Sequence, residues 1–342
     1  MRKTGTSSIQ FFLRDNREAL ASRGLLYPTT PGRARHHKLS LSVKTLDELE
    51  RSPEWLRARS SHPAKFRKQL RRRLMTEIED SGLPRVLFSD EDLFGSSYPA
   101  LRRLGRWLWG FAQSVRVVVY LRRQDDHLIS CYQQEVKLGA VERLEDWALH
   151  DMSGLYDYRA RLGRIRRLLA PAELVVRRYE QECFAEGSLI QDFLDVVGVD
   201  VRARELTSVA DRNMSLDAET VEFVRLLNVH RVETEMATPG LIDNRSLVAS
   251  LTEASTGPVL ALPDGALDEF MARWTRSNEL VARNLLDDPG GQLFHERRKS
   301  VNTTIEQGLD PARVDHFCAV ADLPEELHAP LRRLAEREAK RH

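Results

Sequence analysis

The chain has 342 residues, 42% of them hydrophobic, enough for one substantial core with an appended subdomain. Lys and Arg total 52 against 51 Asp and Glu, a formal net charge of +1, so no global field points to nucleic acid or an anionic membrane. The three cysteines, Cys131, Cys183 and Cys318, are too far apart for a C-x-x-C metal motif and form no evident disulfide framework, which implies a reducing, cytoplasmic setting. No apolar run reaches transmembrane length and the N-terminus lacks the apolar core of a signal peptide, so neither membrane insertion nor secretion is expected.

In chain order, the first element is the segment Arg2-Lys3-Thr4-Gly5-Thr6-Ser7-Ser8-Ile9-Gln10. Gly5 permits a tight turn and close backbone approach, and Thr6 or Ser7 is expected to cap a helix whose apolar positions Ile9, Phe12, Leu13 and Leu20 keep the helical period. Unpaired N–H groups, the positive end of the helix dipole, the Lys3 charge and the Thr4, Thr6 and Ser7 hydroxyls together suit a phosphate or sulfate.

A short strand at 25–28 follows the helix, which should close near Gly24. Helical spacing runs over about 39–49 and 63–81, separated by the breaker Ser52-Pro53. Between them lies the loop Gly32-Arg33-Ala34-Arg35-His36-His37-Lys38, where His37 is a candidate for acceptor contact and a rival general base. The run Arg71-Arg72-Arg73 reads as a solvated helix face; Arg297-Arg298-Lys299 is a candidate to reach an anionic donor or glycan.

A strand near 85–89 leads into Ser89-Asp90-Glu91-Asp92, a carboxylate cluster at a sheet edge, where open α/β folds bind ligands. Glu91 is the candidate base; Asp90 and Asp92 also suit a helix start. A helix around 98–112 precedes the β-branched run Val115 to Leu121, a buried parallel strand that ends at Arg122, with Ser130 eight residues on. A guanidinium fork and a hydroxyl suit a phosphate. The last clear strand, 173–180, passes through Phe184 and Gly187 to a helix at 188–194. From Asn213 onward the signals are helical, with turn clusters at 238–240, 256–258, 263–265 and 287–291.

The Lys-Thr-Gly-Thr-Ser loop, the strand ending in Arg122 with Ser130 beyond it, and the stretch Ser130-x-Tyr132-Gln133-x-x-x-Lys137 resemble the sulfotransferases that use 3′-phosphoadenosine 5′-phosphosulfate (PAPS), in their bacterial, carbohydrate-type form. A Walker loop places its Lys after the second Gly, the reverse of the order here, and the S-x-x-K nucleophile that accompanies Lys-Thr-Gly in penicillin-binding enzymes does not occur. The resemblance covers residues 1–200 well and the remainder faintly.

It implies a three-layer α/β/α parallel sheet of P-loop type with a helical C-terminal subdomain, divided as 1–205 and 206–342. It implies PAPS as sulfuryl donor, held by Lys3, Thr4, Gly5, Thr6, Ser7, Arg122 and Ser130, and a glycan or cell-envelope hydroxyl or amine as acceptor. Lys3, Glu91 and His37 would be the catalytic set, with no metal in the scheme. A P-loop kinase or NTPase, and a catalytically inert nucleotide-binding or scaffold protein, are the alternatives. Arg2 stands where the family usually has Pro, and the strand that the family carries before the loop Lys is expected to be encoded upstream of Met1.

Overall fold

The structure, a computed structural model, describes the chain apart from residues 58–61, 208–214, 240–241, 243, 299–301 and 341–342. Its main elements in order are α1 (Thr6–Asp15), β1 (Leu25–Leu26), α2 (His37–Val43), α3 (Pro63–Ser81), β2 (Arg85–Val86), α4 (Tyr98–Leu108), β3 (Arg116–Leu121), α5 (Gln124–Lys137), α6 (Tyr158–Leu169), β4 (Glu173–Arg178), α7 (Leu189–Val196), α8 (Ala218–Glu235), β5 (Val259–Leu260), α9 (Asp264–Ala272), α10 (Thr275–Leu285), β6 (Thr303–Thr304), α11 (Val314–Val320) and α12 (His328–Ala339), with shorter helical turns between them. The fold is α/β-like and rich in helix. Among the described residues no helix is long and apolar enough to cross a membrane.

The strands pair in parallel: β1 with β2, β3 with β4 over six residue pairs from Arg116–Glu173 to Leu121–Arg178, and β5 with β6. Such pairs need helical crossovers, and helices supply them between β1 and β2 and between β3 and β4. The strand at 85–89 is shorter than its apolar run suggested, because beyond Val86 the chain turns into a 3-10 turn over Glu91–Leu93. The helical stretch expected over 39–49 is broken into His37–Val43 and Leu46–Glu50, since Thr45 and Glu48 form a capping box that starts a new helix. The pair β5–β6 adds strand structure to a region read as helical throughout.

The chain divides into two compact units. The first comprises Met1–Arg123, Met152–Arg212 and Trp274–Glu296; the second comprises Gln124–Asp151, Asn213–Arg273 and Arg297–His342. Most of the 206–342 segment thus falls in the second unit, which also takes in α5, while the first takes in α10.

The first unit carries a core in which Ile9, Phe12 and Leu13 of α1 pack with Leu25 and Tyr27 after it, Tyr120 of β3 and Phe193 and Leu194 of α7; Leu87 and Val118 pack against it half-buried. At about 1.5–3 kcal/mol per large apolar side chain, burial of this stripe fixes the orientation of α1. The second unit has its own core from α5, α8, α11 and α12, with Phe223 and Phe317 stacked at 5.2 Å. A buried ionic set is threaded through it: the Arg225 guanidinium donates to Glu222 at 2.6 Å and to Glu338 at 2.7 Å.

Candidate functional site

The loop at the start of α1 is held in an unusual backbone. Lys3 has φ 56° and Gly5 φ 68°, both left-handed. Gly5 is the N-cap residue, and no side chain caps the helix. The expected cap by Thr6 or Ser7 does not form, because both already lie inside the helix and an N-cap needs non-helical φ and ψ. A left-handed Gly5 costs no Cβ strain, and a Cβ there would overlap Leu189 Cδ2 and come within 3.2 Å of Tyr179 Cε2. The loop backbone is pressed against β4's end and α7, with the uncapped first turn of α1 behind it.

The hydroxyls of the loop divide. Thr4 is fully buried and its Oγ1 donates to the Met1 carbonyl at 2.7 Å, so it braces the loop, whereas Ser7 is exposed. Arg122, one residue past β3, donates through Nη1 to the Lys3 carbonyl at 3.0 Å, and its guanidinium carbon lies 5.8 Å from the Tyr179 ring centroid. The two sequence segments singled out for phosphate binding, 119 residues apart, meet at this bond.

The carboxylate cluster meets the same loop through Arg2. Arg2 Nε donates to Asp92 Oδ1 at 2.8 Å, and Gln10 of α1 donates to Glu91 Oε2 at 2.8 Å and to Ser89 Oγ at 3.3 Å. Arg35 grips all three acids: Nε lies 2.9 Å from Asp90 Oδ1 and 3.3 Å from Glu91 Oε1, and Nη2 pairs with Asp92.

Environment separates Asp90 from Asp92. Burial raises the Asp90 carboxyl to about 6, with Arg35 opposing that rise only in part. Asp92 is also pushed up by burial, but Arg2 and Arg35 outweigh it and hold its carboxyl below the usual range. Asp90 therefore serves as the buried anchor. It takes Arg35, the Ser40 N–H at 3.3 Å and the Asp92 N–H at 3.3 Å, which caps the turn carrying Glu91.

The two histidines of the Arg-rich loop have different fates. His36 is fully buried, its ring 4.4 Å from that of Tyr27, and burial lowers it to about 4. Its Nδ1 accepts from the Ser89 N–H at 3.2 Å while Nε2 sits 2.9 Å from the Pro28 carbonyl, an arrangement that suits the neutral Nε2–H tautomer. His37, the first residue of α2, is half-buried; burial lowers it, and its Nδ1 is 3.4 Å from the Arg35 carbonyl. Arg35 thus touches one candidate base through its backbone and the other through its guanidinium. In the sequence Arg35 is one of several loop arginines with nothing to mark it, because its role depends on contacts 55 and 57 residues away.

The remaining candidates lie in the second unit. Ser130 is a half-buried residue of α5. Tyr132 donates to the Glu142 carbonyl at 2.9 Å and accepts from Gln307 at 2.7 Å, and Gln133 donates to the Leu216 carbonyl at 3.1 Å, so both are engaged within the core of that unit. Arg298, expected to reach an anionic donor, is instead held by Asp125 at 2.9 Å, Asp264 at 2.8 Å and Asp268 at 2.5 Å. Three carboxylates around one guanidinium leave it no charge to offer a further anion. Lys299 lies outside the described residues.

No family model matches the chain, and no solved structure does. A stretch of 101 residues is 36% identical to an uncharacterised protein of Archaeoglobus fulgidus; it covers 29% of this chain and 27% of that protein, little more than a quarter of its length.

Proposed function

We propose that this protein is a PAPS-dependent sulfotransferase that moves a sulfuryl group to a hydroxyl or amine of a glycan or cell-envelope acceptor. The observation that carries the reading is the bond from Arg122 to the Lys3 carbonyl, which ties a strand-end guanidinium to a left-handed, glycine-turned loop before an uncapped helix N-terminus. Cation, backbone N–H groups and helix dipole then act on one anion. As a finer statement of fold, the pairs β1–β2 and β3–β4 belong to one three-layer P-loop-type sheet. In support, both are parallel, and residues beside each pair share a core with α1.

In this scheme the acceptor oxygen or nitrogen attacks sulfur in line. A bond to sulfur forms as the bond from sulfur to the 5′-phosphate oxygen breaks, and adenosine 3′,5′-bisphosphate leaves with the electron pair. Lys3 and the loop N–H groups offset the charge that builds on the bridging and peripheral oxygens. Glu91, fixed by Gln10 and facing Arg35, takes the acceptor proton, and His37 contacts the acceptor. The reading rests on residues of the first unit alone.

Thermal-shift titration of the full chain tests it. Adenosine 3′,5′-bisphosphate is expected to raise the Tm and labelled PAPS to yield a sulfated glycan product. Stabilisation by ATP with magnesium but not by the bisphosphate would favour a kinase or NTPase instead.

A further inference from the structure

Helix α3 carries its charge the wrong way round for its own stability. From Pro63 to Met75 it has six cations, Lys65, Arg67, Lys68, Arg71, Arg72 and Arg73, and no acid; its acids Glu77, Glu79 and Asp80 all lie near the C-terminal end. The helix dipole disfavours Lys65 in the first turn and Glu79 and Asp80 in the last, at about 0.3–1 kcal/mol per charge, and along the row the like charges at i,i+3 and i,i+4 repel one another. Arg67 is spent on the Ser42 carbonyl at 2.9 Å. The other five are exposed, and among the described residues none has an acidic partner. Lys65, Lys68 and Arg72 fall on one face by helical spacing, with Arg71 and Arg73 flanking it. A local rule broken without an internal gain points to an external anion.

We infer that this face of α3 binds a linear anionic polysaccharide. A bilayer is a poor occupant, because a helix lying on a membrane needs an apolar face to insert and that of α3 is already used: Leu70 and Leu74 are buried, and Phe66 packs edge-on against Trp55 at 5.2 Å. Single-stranded nucleic acid is also a poor occupant, since it is held on aromatic platforms and Phe66 is the one aromatic residue in the stretch 63–81. What is left is a row of cations suited to the sulfates and carboxylates of an extended glycan, bound largely by counter-ion release. The cation row stands by itself; the choice of a polysaccharide over duplex DNA rests on the proposed glycan acceptor.

The test measures binding of full-length protein to chondroitin sulfate over a salt series, against the variant Lys68→Gln/Arg71→Gln/Arg72→Gln/Arg73→Gln. The variant should lose at least tenfold in affinity and show a shallower salt dependence, with an unchanged or higher Tm because like-charge repulsion along the helix is relieved. Its thermal shift with adenosine 3′,5′-bisphosphate should equal that of the parent, so failure here is separable from failure of the sulfotransferase reading. Equal affinity of variant and parent for chondroitin sulfate would overturn the proposal. So would tighter binding of duplex DNA, or of phosphatidylglycerol vesicles, with a loss in the variant confined to that ligand.

Discussion

Arg122 donates to the carbonyl oxygen of Lys3 across 3.0 Å, so the residue proposed to hold a phosphate also holds the loop beside that phosphate. One Nη atom is committed to the loop, while a guanidinium has further N–H donors to aim at a ligand. Arg122→Ala should therefore weaken adenosine 3′,5′-bisphosphate by about 1.5–3 kcal/mol, the worth of a hydrogen bond to a charged group. A ligand lacking the 3′-phosphate should lose only the smaller part that comes from loosening the loop. Calorimetry with both ligands checks this; equal losses would assign Arg122 to the loop alone.

Gly5 is the loop's second fixed point. Gly5→Ala must place a Cβ in the left-handed region and displace Leu189, at a cost of about 1–3 kcal/mol in stability. The double variant Gly5→Ala/Leu189→Ala should recover the steric part, so the two losses should not add. Denaturant unfolding of the four proteins in the cycle measures it, and strict additivity would show that Leu189 is not what the glycine avoids.

Much of the first unit was legible because local signals carried it. Helical spacing over 63–81 marks α3, which runs over Pro63–Ser81, and the β-branched run 115–121 marks β3. The cap of α1 was misread, since Thr6 and Ser7 are good caps by type while the loop's turn sets the helix start one residue earlier, at Gly5. Arg298 looked like a cation on offer because its three aspartates are supplied from positions 125, 264 and 268. The grouping of α5 with α8, α11 and α12 was hidden for the same reason: only tertiary packing defines it.

The buried pair of titrating groups near Ser89 sets opposing pH dependences. His36 falls from 6.5 to about 4 in the fold, so the unfolded chain alone binds its proton between those values. Its stabilising contribution is full above pH 6.5 and is lost as the pH falls toward 4, by on the order of 3 kcal/mol. Asp90 rises from 3.8 to about 6, so the native state binds the extra proton and is favoured as the pH falls from 6 to 4. In His36→Gln the first effect is removed. The variant should be less stable at pH 7 by about 1–3 kcal/mol for the lost buried hydrogen bonds, and its deficit should shrink at pH 4.5. Urea unfolding of both proteins at pH 4.5, 5.5 and 7 tests this, and a deficit independent of pH would mean that His36 takes up its proton as readily in the native state as in the unfolded chain.

The roles of Glu91 and His37 can be separated kinetically. Glu91 is held by Gln10 at 2.8 Å and lies 3.3 Å from Arg35 Nε, on a turn that Asp90 caps, so its carboxylate is positioned before any acceptor arrives. If it takes the acceptor's proton, Glu91→Gln should preserve the Gln10 contact and the donor affinity while lowering turnover by about 10²–10⁴-fold, the usual worth of a general base. His37→Ala, which removes a half-buried ring at the start of α2, should act chiefly through the acceptor KM. The comparison turns on Arg35, because loss of the Glu91 charge relieves one of its four carboxylate partners and leaves Asp90, Asp92 and Glu54 to hold it in place. Single-turnover transfer from labelled PAPS to a generic glycan acceptor, run for both variants, reads the two effects directly. Near-normal transfer by Glu91→Gln beside abolished transfer by His37→Ala would exchange the roles and make the neutral imidazole, favoured here by burial, the base.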